Sequence, residues 1–284
     1  MNFINILNHI LRPLEWVVAQ LLTLFHHALV TFGMTAGPSP AWGIAIICLV
    51  LVIRICLLPL FLSQMRAMQR IQVLQPQIQR IQHKYAARKD PRSKEAMQRE
   101  IMALQQRYNA NPLGSCLPSL IQAPILCSLF YTLQSLPAIA DGNAEPLGGI
   151  DHTMAGDIES SSIFGVRIAD SFGTVASPQS RIIIGVAVAL MCLTLFAIQW
   201  MLIHRNTSKD AMVSPQFRVQ KMTVFVFPAI YVVSGATLPF GVLLYWLTNN
   251  LWNLGQTLCQ LRWFPTPGSA AGERKARRDY EQDN

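Results

Sequence analysis

The chain has 284 residues, of which 51% are hydrophobic and only 13% are charged. The apolar residues are gathered in long runs, a distribution that excludes a soluble globular protein and is typical of an integral membrane protein. The formal net charge of +8 is concentrated in the polar segments between and after these runs.

Residues 1–40 are predicted to form an amphipathic helix that lies in the membrane interface on the outer side. Apolar residues recur at helical spacing between Leu14 and Phe32, while polar side chains gather on another side of the same helix. The alternative is a signal segment, because Arg12 precedes a short apolar run that small residues follow.

Five further apolar runs are each long enough to cross about 30 Å of hydrocarbon as a helix. The spans predicted from them are residues 41–62, 112–136, 182–203, 222–239 and 240–260. The other segments are a cytoplasmic hairpin at 63–111, an extracytoplasmic loop at 137–181, a cytoplasmic loop at 204–221 and a cytoplasmic tail at 261–284. The predicted fold class is an all-α polytopic membrane protein with five transmembrane helices.

The distribution of charge predicts the orientation of these spans. Of the 23 Lys and Arg residues, ten lie in residues 63–111, four in residues 204–221 and five after residue 260. Residues 137–180, in contrast, carry six acids and Arg167 alone as a base. Basic segments stay in the cytoplasm, so we expect the N-terminus outside and the C-terminus inside.

The segments outside the membrane differ in predicted structure. Residues 63–111 contain two helical apolar stripes, with Asp90 and Pro91 suited to start the second helix and Pro76 expected to kink the first. The loop at 137–181 is rich in Gly, Ser and acids and is predicted to have little regular structure. The tail mixes charges without an apolar face, and we expect it to be disordered.

Arg54 is a cation inside the first span, which contains no carboxylate to pair with it. A charge near the middle of a spanning helix costs roughly 2.5–3.5 kcal/mol on insertion-derived scales, so such residues usually face protein, water or a substrate. Arg54 is therefore the leading candidate for a functional residue.

Two polar stripes accompany Arg54. The second span carries Ser115, Ser119 and Gln122 on one helical face, and the fifth span carries Tyr245, Asn249 and Asn253, with Trp246 beside them. Hydrogen bonds that merely join helices are the simpler interpretation of any single residue. Two stripes together with a cation favour a hydrated concavity between helices, open toward the cytoplasm.

The residue types that are missing from the spans exclude other chemistry. No Asp or Glu lies in any of the five spans, so a proton relay or a carboxylate cage for a cation is not expected. The spans contain no Ser, His and Asp set and no metal-ligand cluster. The six cysteines lie in or beside apolar runs and are interpreted as apolar fillers. We therefore predict no enzyme activity, no cofactor and no metal.

Several strings then identify a family. They are Ile53-Arg54-Ile55-Cys56-Leu57-Leu58-Pro59-Leu60 followed by Gln64, Leu74-Gln75-Pro76, Asn111-Pro112-Leu113-Gly114-Ser115-Cys116-Leu117-Pro118 with Ile121-Gln122-Ala123-Pro124-Ile125, and Leu244-Tyr245-Trp246-Leu247-Thr248-Asn249-Asn250. Together and in this order, over roughly residues 14–260, they resemble the YidC family of membrane protein insertases. The chain is similar to the short bacterial form, without the large periplasmic domain of some members.

This resemblance implies a five-helix core with a positively charged hydrophilic groove that is open to the cytoplasm and to lipid. Arg54 matches the family arginine that attracts acidic or polar parts of a nascent membrane protein, and Gln122 and Trp246 match positions on the groove wall. The expected groove residues are Arg54, Ser115, Ser119, Gln122, Tyr245, Trp246, Asn249 and Asn253.

The resemblance also implies partners for the hairpin. The family hairpin captures substrates and contacts the ribosome, the signal-recognition machinery or the SecY translocon. The candidates here are Met65, Met68, Arg80, Lys84, Arg88 and Lys89. We expect nascent membrane proteins and membrane lipids as further partners, no specific nucleic acid, and a location in the bacterial cytoplasmic membrane.

Two other function classes remain as alternatives. In a small-solute or anion transporter, Arg54 would bind a carboxylate or a phosphate, but such proteins usually show internal repeats that these five unequal spans lack. An intramembrane enzyme lacks the residues for chemistry. Insertion and folding of membrane proteins, without nucleotide or cofactor, is the function that the sequence favours.

Overall fold

The computed structural model describes residues 3–87, 90–110, 113–213 and 215–283, and in them it is built mainly from α-helices. For residues 3–10, 113–119, 213, 215, 216 and 218 it describes the backbone alone. The helices in chain order are α1, Phe3–Thr31; α2, Pro40–Cys56; α3, Leu58–Val73; α4, Gln75–Tyr85; α5, Pro91–Arg107; α6, Leu113–Ala140; α7, His152–Ser160; α8, Pro178–Arg205; α9, Pro215–Thr237; α10, Phe240–Trp263; and α11, Ala270–Asp283. Strands β1, Ser162–Ile163, and β2, Val166–Arg167, pair antiparallel after α7.

Four of the described helices contain stretches long and apolar enough to cross a membrane. These stretches are Leu11–Thr31, Leu120–Ala140, Pro178–Arg205 and Val219–Thr237. A fifth is added when α2 and α3 are counted as one interrupted span. The predicted fold class, an all-α polytopic membrane protein, is confirmed.

The set of apolar helices differs from the predicted spans in two members. Helix α1, predicted to lie in the interface, contains a stretch with the length and composition of a span. Helix α10, predicted as the fifth span, is not in the set. Its polar side chains, which include Asn249, Asn250 and Asn253, lower its mean hydropathy. The positions of α1 and α10 relative to the membrane stay predictions.

The apolar run at residues 41–62 does not form one uninterrupted helix. Helix α2 ends at Cys56, and α3 begins at Leu58 with a proline in its first turn. Proline lacks a backbone N–H and clashes with the preceding turn, so it favours the start of a helix over its interior. Arg54 therefore lies in the last turn of α2. Pro76 has the same effect. It lies in the first turn of α4, so a new helix begins here in place of the predicted kinked helix.

The described helices group into two compact units. The first is formed by the chain up to Cys56, by Ser119–Thr194 and by Pro228–Trp252. Its core is a single cluster of buried apolar side chains to which α1, α2, α6 and α10 all contribute. Among its fully buried members are Trp42, Ile46, Leu49, Leu129, Leu136, Ile139, Leu243 and Tyr245.

The segment at 137–181, predicted to have little regular structure, is instead ordered within this first unit. Asp151 begins α7 by accepting a hydrogen bond from the Met154 backbone N–H at 2.7 Å. Ile158 and Val166 are fully buried in the core of the unit. The prediction was wrong because the apolar residues are spread over several short elements, each too short to show a periodic pattern.

Two backbone carbonyls of this segment fix the start of α10. The Phe240 N–H donates to the Asp170 carbonyl at 2.7 Å, and the Gly241 N–H donates to the Ile168 carbonyl at 2.9 Å. The first N–H groups of a helix have no partner inside the helix, so these bonds satisfy donors that burial would otherwise leave unpaired. Arg167 binds Asp170 at 2.8 Å, and this bond holds the pKa of Arg167 above its ordinary value.

The second unit is formed by Leu57–Pro118, Leu195–Phe227 and the chain from Asn253. Within it, α4 and α5 pack side by side around Leu74 and Ile78, which contact Ile101 and Leu104. The end of α4 is tied to α5 by a hydrogen-bonded ion pair between Lys84 and Glu100. The two helices therefore run in opposite directions.

The tail contains helix α11 and is not disordered as predicted. The Ser269 hydroxyl accepts a hydrogen bond from the Gly272 N–H at 3.1 Å, and Lys275 pairs with Asp279 one turn further along. Lys209 of the preceding loop binds Glu273 at 3.1 Å. A local cap and charge pairs thus favour this helix. It could not be predicted from the sequence pattern because it has no apolar stripe.

We predict that Gly241→Ala destabilises the protein by about 1–3 kcal/mol, because packed interiors resist added atoms. A Cβ at this position would lie 2.7 Å from a methyl carbon of Ile168 and 3.1 Å from a methyl carbon of Leu133. Gly255→Ala on the same helix is the matched control, since its Cβ would meet nothing within 4 Å. Thermal unfolding in detergent measures both variants, and equal melting temperatures would contradict the proposed tight approach at Gly241.

Candidate functional site

The side chain of Arg54 is held by a neutral amide. Its Nε and Nη2 groups both donate to the Oδ1 oxygen of Asn249, with a distance of 2.7 Å from Nε. A guanidinium carries five N–H donors, so this contact uses two of them. None of the described residues forms a hydrogen bond with the other three. The sequence identified both residues but did not predict that they bind each other.

Tyr245 and Gln122 form a second polar contact in the same unit. The Nε2 group of Gln122 on α6 donates to the hydroxyl of Tyr245 on α10. Tyr245 is only 2% exposed, whereas Gln122 remains partly accessible. The pair therefore joins α6 and α10 within the first unit.

A third contact brings in α9 through Tyr231. The ring of Tyr231 stacks on Trp246 with centroids 5.1 Å apart and an interplanar angle of 26°. Its hydroxyl lies 3.5 Å from Oδ1 of Asn250, a weak hydrogen bond at best. Asn250 is 2% exposed, and no described residue binds its Nδ2 group.

Helix α10 is common to all three contacts. Four residues of one α10 segment meet side chains from α2, α6 and α9; they are Tyr245, Trp246, Asn249 and Asn250. We call these residues, together with Arg54, Gln122 and Tyr231, the Arg54 cluster.

The Arg54 cluster keeps an uncompensated positive charge. Helices α2, α6, α8, α9 and α10 contain no Asp or Glu, and none of the ion pairs in the described residues involves Arg54. An amide oxygen accepts hydrogen bonds from a guanidinium but carries only a partial charge. The cluster can therefore attract an anion, and its free N–H donors can bind a carboxylate in a bidentate manner.

Three predicted groove residues are not placed in the cluster. Asn253 lies on α10 and is partly buried. Its backbone carbonyl accepts a hydrogen bond from the Thr257 hydroxyl at 2.8 Å, but its side chain forms none with the described residues. Ser115 and Ser119 fall within α6, but their side chains lie outside the described residues. Their roles stay predictions.

The predicted hairpin residues fall into different environments. Met65 is buried at 4% exposure, whereas Met68 is 41% exposed and Arg80 is exposed as well. Lys84 binds Glu100 at 2.9 Å, which raises the pKa of Lys84 and lowers that of Glu100. Arg88 and Lys89 lie outside the described residues. Met68, Arg80 and Lys84 are therefore the exposed candidates, and of these Lys84 is held in an ion pair.

Sequence reasoning missed Tyr231 and Asn250. Tyr231 is the only tyrosine in its predicted span and follows Pro228 by three residues, so a lone hydroxyl in an apolar run was the available signal. Asn250 lies directly after Asn249 and points away from the predicted stripe, which follows a spacing of three and four residues. Only the packing of α9 against α10 brings the two side chains together.

No cluster of metal ligands was found in the described residues. No three or more of their His, Cys, Asp or Glu side chains are grouped so that they could hold a metal ion. The Arg54 cluster itself consists of a cation, amides and aromatic side chains, which are poor ligands for a metal cation. Its chemistry is that of binding an anion or a polar group.

Comparison with known proteins identifies the family. Residues 34–266 match the family model described as 60Kd inner membrane protein. A protein of Bifidobacterium longum strain NCC 2705, named membrane protein insertase YidC, is 42% identical over 285 residues, covering 100% of this chain and 84% of its own.

Proteins of the same name from two other bacteria are also similar. That of Streptomyces avermitilis is 34% identical, covering 94% of this chain and 61% of its own. That of Tropheryma whipplei strain Twist is 31% identical, covering 96% of this chain and 90% of its own. The family-model match includes Arg54, Gln122 and Asn249. The chain therefore belongs to the YidC family of membrane protein insertases.

Proposed function

We propose that the chain is a membrane protein insertase, which guides nascent membrane proteins into the bacterial membrane, and that the Arg54 cluster receives their polar segments. One observation carries the second part of the proposal. Arg54 is a cation among apolar helices that is positioned by a neutral amide, and none of the described carboxylates is bound to it.

The physical problem in insertion is the cost of moving polar groups into hydrocarbon. An acidic side chain at the bilayer centre costs a few kcal/mol on insertion-derived scales. A guanidinium that already lies at that depth offsets part of this cost through charge-assisted hydrogen bonds, each about twice as strong as a neutral one. A substrate tail can then move part of the way across the membrane before its apolar segment enters the lipid.

Asn249 orders the side chain of Arg54 without neutralising its charge, which suits Arg54 to bind a substrate transiently. Two donors of Arg54 are fixed by the amide, which limits the conformations of a long side chain. The remaining three donors stay available, and the charge is not neutralised. A carboxylate in place of the amide would form a permanent ion pair and compete with every acidic substrate.

The groove itself belongs to this proposal. We infer a hydrated groove that opens toward the cytoplasm, since Arg54, Gln122 and Asn249 are each only partly buried. The basic segments at 63–111, 204–221 and beyond residue 260 support a cytoplasmic C-terminus and an external N-terminus.

Partners other than the nascent chain would bind the hairpin. Met68 and Arg80 are exposed and offer a flexible apolar and a charged contact. We propose this surface for the ribosome, the signal-recognition machinery or the SecY translocon. Membrane lipids are further partners, and no specific nucleic acid is expected.

A small-solute or anion transporter is the alternative function for the same cation. In that case Arg54 would bind a free carboxylate or phosphate. Uptake of labelled solutes into proteoliposomes tests it, and an uptake that depends on Arg54 would favour the transporter over the insertase.

We predict that Arg54→Gln slows the insertion of a substrate with an acidic translocated tail by roughly 10- to 100-fold. Hydrogen bonds to charged groups contribute about 1.5–3 kcal/mol, which corresponds to that range. Insertion into proteoliposomes, scored by protease protection of the tail, provides the measurement. Arg54→Lys should retain most activity, and Arg99→Gln, which removes an exposed charge of α5, is the control. An unchanged rate for Arg54→Gln would refute the role of the charge.

We also predict that Asn249→Asp selectively impairs substrates with acidic tails. The new carboxylate would lie within 3 Å of the guanidinium and neutralise it, whereas Asn249→Ala leaves the charge in place but less ordered. The same protease-protection assay compares acidic with neutral tails for both variants. If Asn249→Asp inserts acidic tails as well as Asn249→Ala does, neutralisation is not what matters at this site.

A further inference from the structure

The second unit contains an open cavity of about 310 Å³ near the end of α3. Its lining comes from three separate stretches of chain. Arg66, Arg70 and Val73 belong to α3, Tyr108 follows α5, and Pro267 follows α10. The cavity shares none of its lining residues with the Arg54 cluster.

Hydrogen bonds hold the walls of this cavity in place. The Nε2 group of Gln69, another lining residue, donates to the backbone carbonyls of Phe264 and Pro265, the latter at 3.3 Å. The Nη1 group of Arg70 donates to the Asn109 carbonyl at 3.0 Å. Side chains of α3 thus bind the stretch after α5 and the stretch after α10. The cavity walls are therefore fixed by specific hydrogen bonds.

The charged residues of the described cavity lining are two arginines. Arg66 and Arg70 are four residues apart on α3 and therefore lie on one face. Both are exposed, and none of the described residues that line the cavity is acidic. None of the described residues binds Arg66, and Arg70 retains donors beyond its one bond. Two unneutralised guanidinium groups, one turn apart, match the geometry of a phosphate group.

The cavity also lies close in sequence to the ends of two predicted spans. Arg66 follows the last residue of the first predicted span by four positions, and Pro267 follows the end of α10 by four. Trp263 and Phe264, at that end, are 59% and 47% exposed. Exposed aromatic residues at the end of a span are typical of the level of the lipid headgroups.

From these observations we propose that the cavity binds the headgroup phosphate of an anionic phospholipid. Arg66 and Arg70 contact the phosphate, and the apolar lining at Val73, which is 53% exposed, contacts the start of an acyl chain. Basic pockets at the cytoplasmic ends of spanning helices are suited to such headgroups. A soluble anion has no apolar group to contact the apolar part of the lining. The inference does not depend on the insertase function, because lipid binding is measured without a substrate.

Native mass spectrometry of the full chain in detergent tests the proposal. The protein is titrated with phosphatidylglycerol, with phosphatidylcholine as the uncharged control, and with inorganic phosphate in a separate arm. Arg66→Gln should weaken the retention of phosphatidylglycerol about 5-fold, and the double variant with Arg70→Gln about 30-fold, as expected for ~1 kcal/mol per basic residue. Retention of phosphatidylcholine should not change.

The control is the double variant Arg92→Gln, Lys94→Gln, which removes two exposed charges from the first turn of α5, outside the cavity. This control should change the retention of phosphatidylglycerol by less than 2-fold. Arg66→Lys, which keeps the charge, should weaken retention less than Arg66→Gln does. An equal loss in the control would show that only overall charge matters and would overturn the proposal. Unchanged retention of phosphatidylglycerol by Arg66→Gln would also overturn it, and so would displacement of the lipid by inorganic phosphate at equal concentration. Thermal unfolding verifies that each variant is folded.

Discussion

The contact between Arg54 and Asn249 is the interaction on which the candidate site depends. A cation among apolar helices requires a partner, and in most proteins that partner is a carboxylate. Here it is an amide oxygen that accepts two hydrogen bonds without cancelling the charge. The side chain is thereby ordered while its attraction for an anion is retained. A receiving site for many different acidic segments needs both properties at once.

The geometry of this contact depends in turn on where α10 lies. That helix carries Asn249 and also binds Gln122 and Tyr231 through neighbouring positions, so its placement sets the geometry of the whole cluster. Its first turn is fixed from outside by the carbonyls of Ile168 and Asp170. The ordered segment at 137–181 therefore has a structural task. It holds the start of the helix whose middle positions the cation.

Much of the fold was predictable because the membrane imposes simple constraints on sequence. The apolar runs, the polar faces and the isolated charge of Arg54 can all be seen in one chain without structural information. The pairing of Arg54 with Asn249 was not predictable, because nearly 200 residues separate them and helical spacing relates only neighbours on one helix. Tyr231 was missed for the same reason.

The errors in the prediction also have physical causes. Helix α11 and the elements at 137–181 are stabilised by caps, ion pairs and short apolar contacts, which leave no long periodic pattern. The break at Leu57 was overlooked because an apolar run shows only that a segment prefers lipid. It does not show whether the helix is continuous, and the proline at position 59 was the local signal that decided it.

That break places Arg54 at the carboxyl end of a helix. The last carbonyl groups of α2 have no partners within it, and together they carry the negative end of the helix dipole. A cation in the last turn is stabilised by this end by roughly 0.3–1 kcal/mol, and by more where it is partly buried. The helix thus supplies part of the compensation that a counterion would otherwise give. Because backbone dipoles cannot dissociate, be protonated or be displaced by a substrate, this support would stay in place while the guanidinium bound and released the partners that we propose for it.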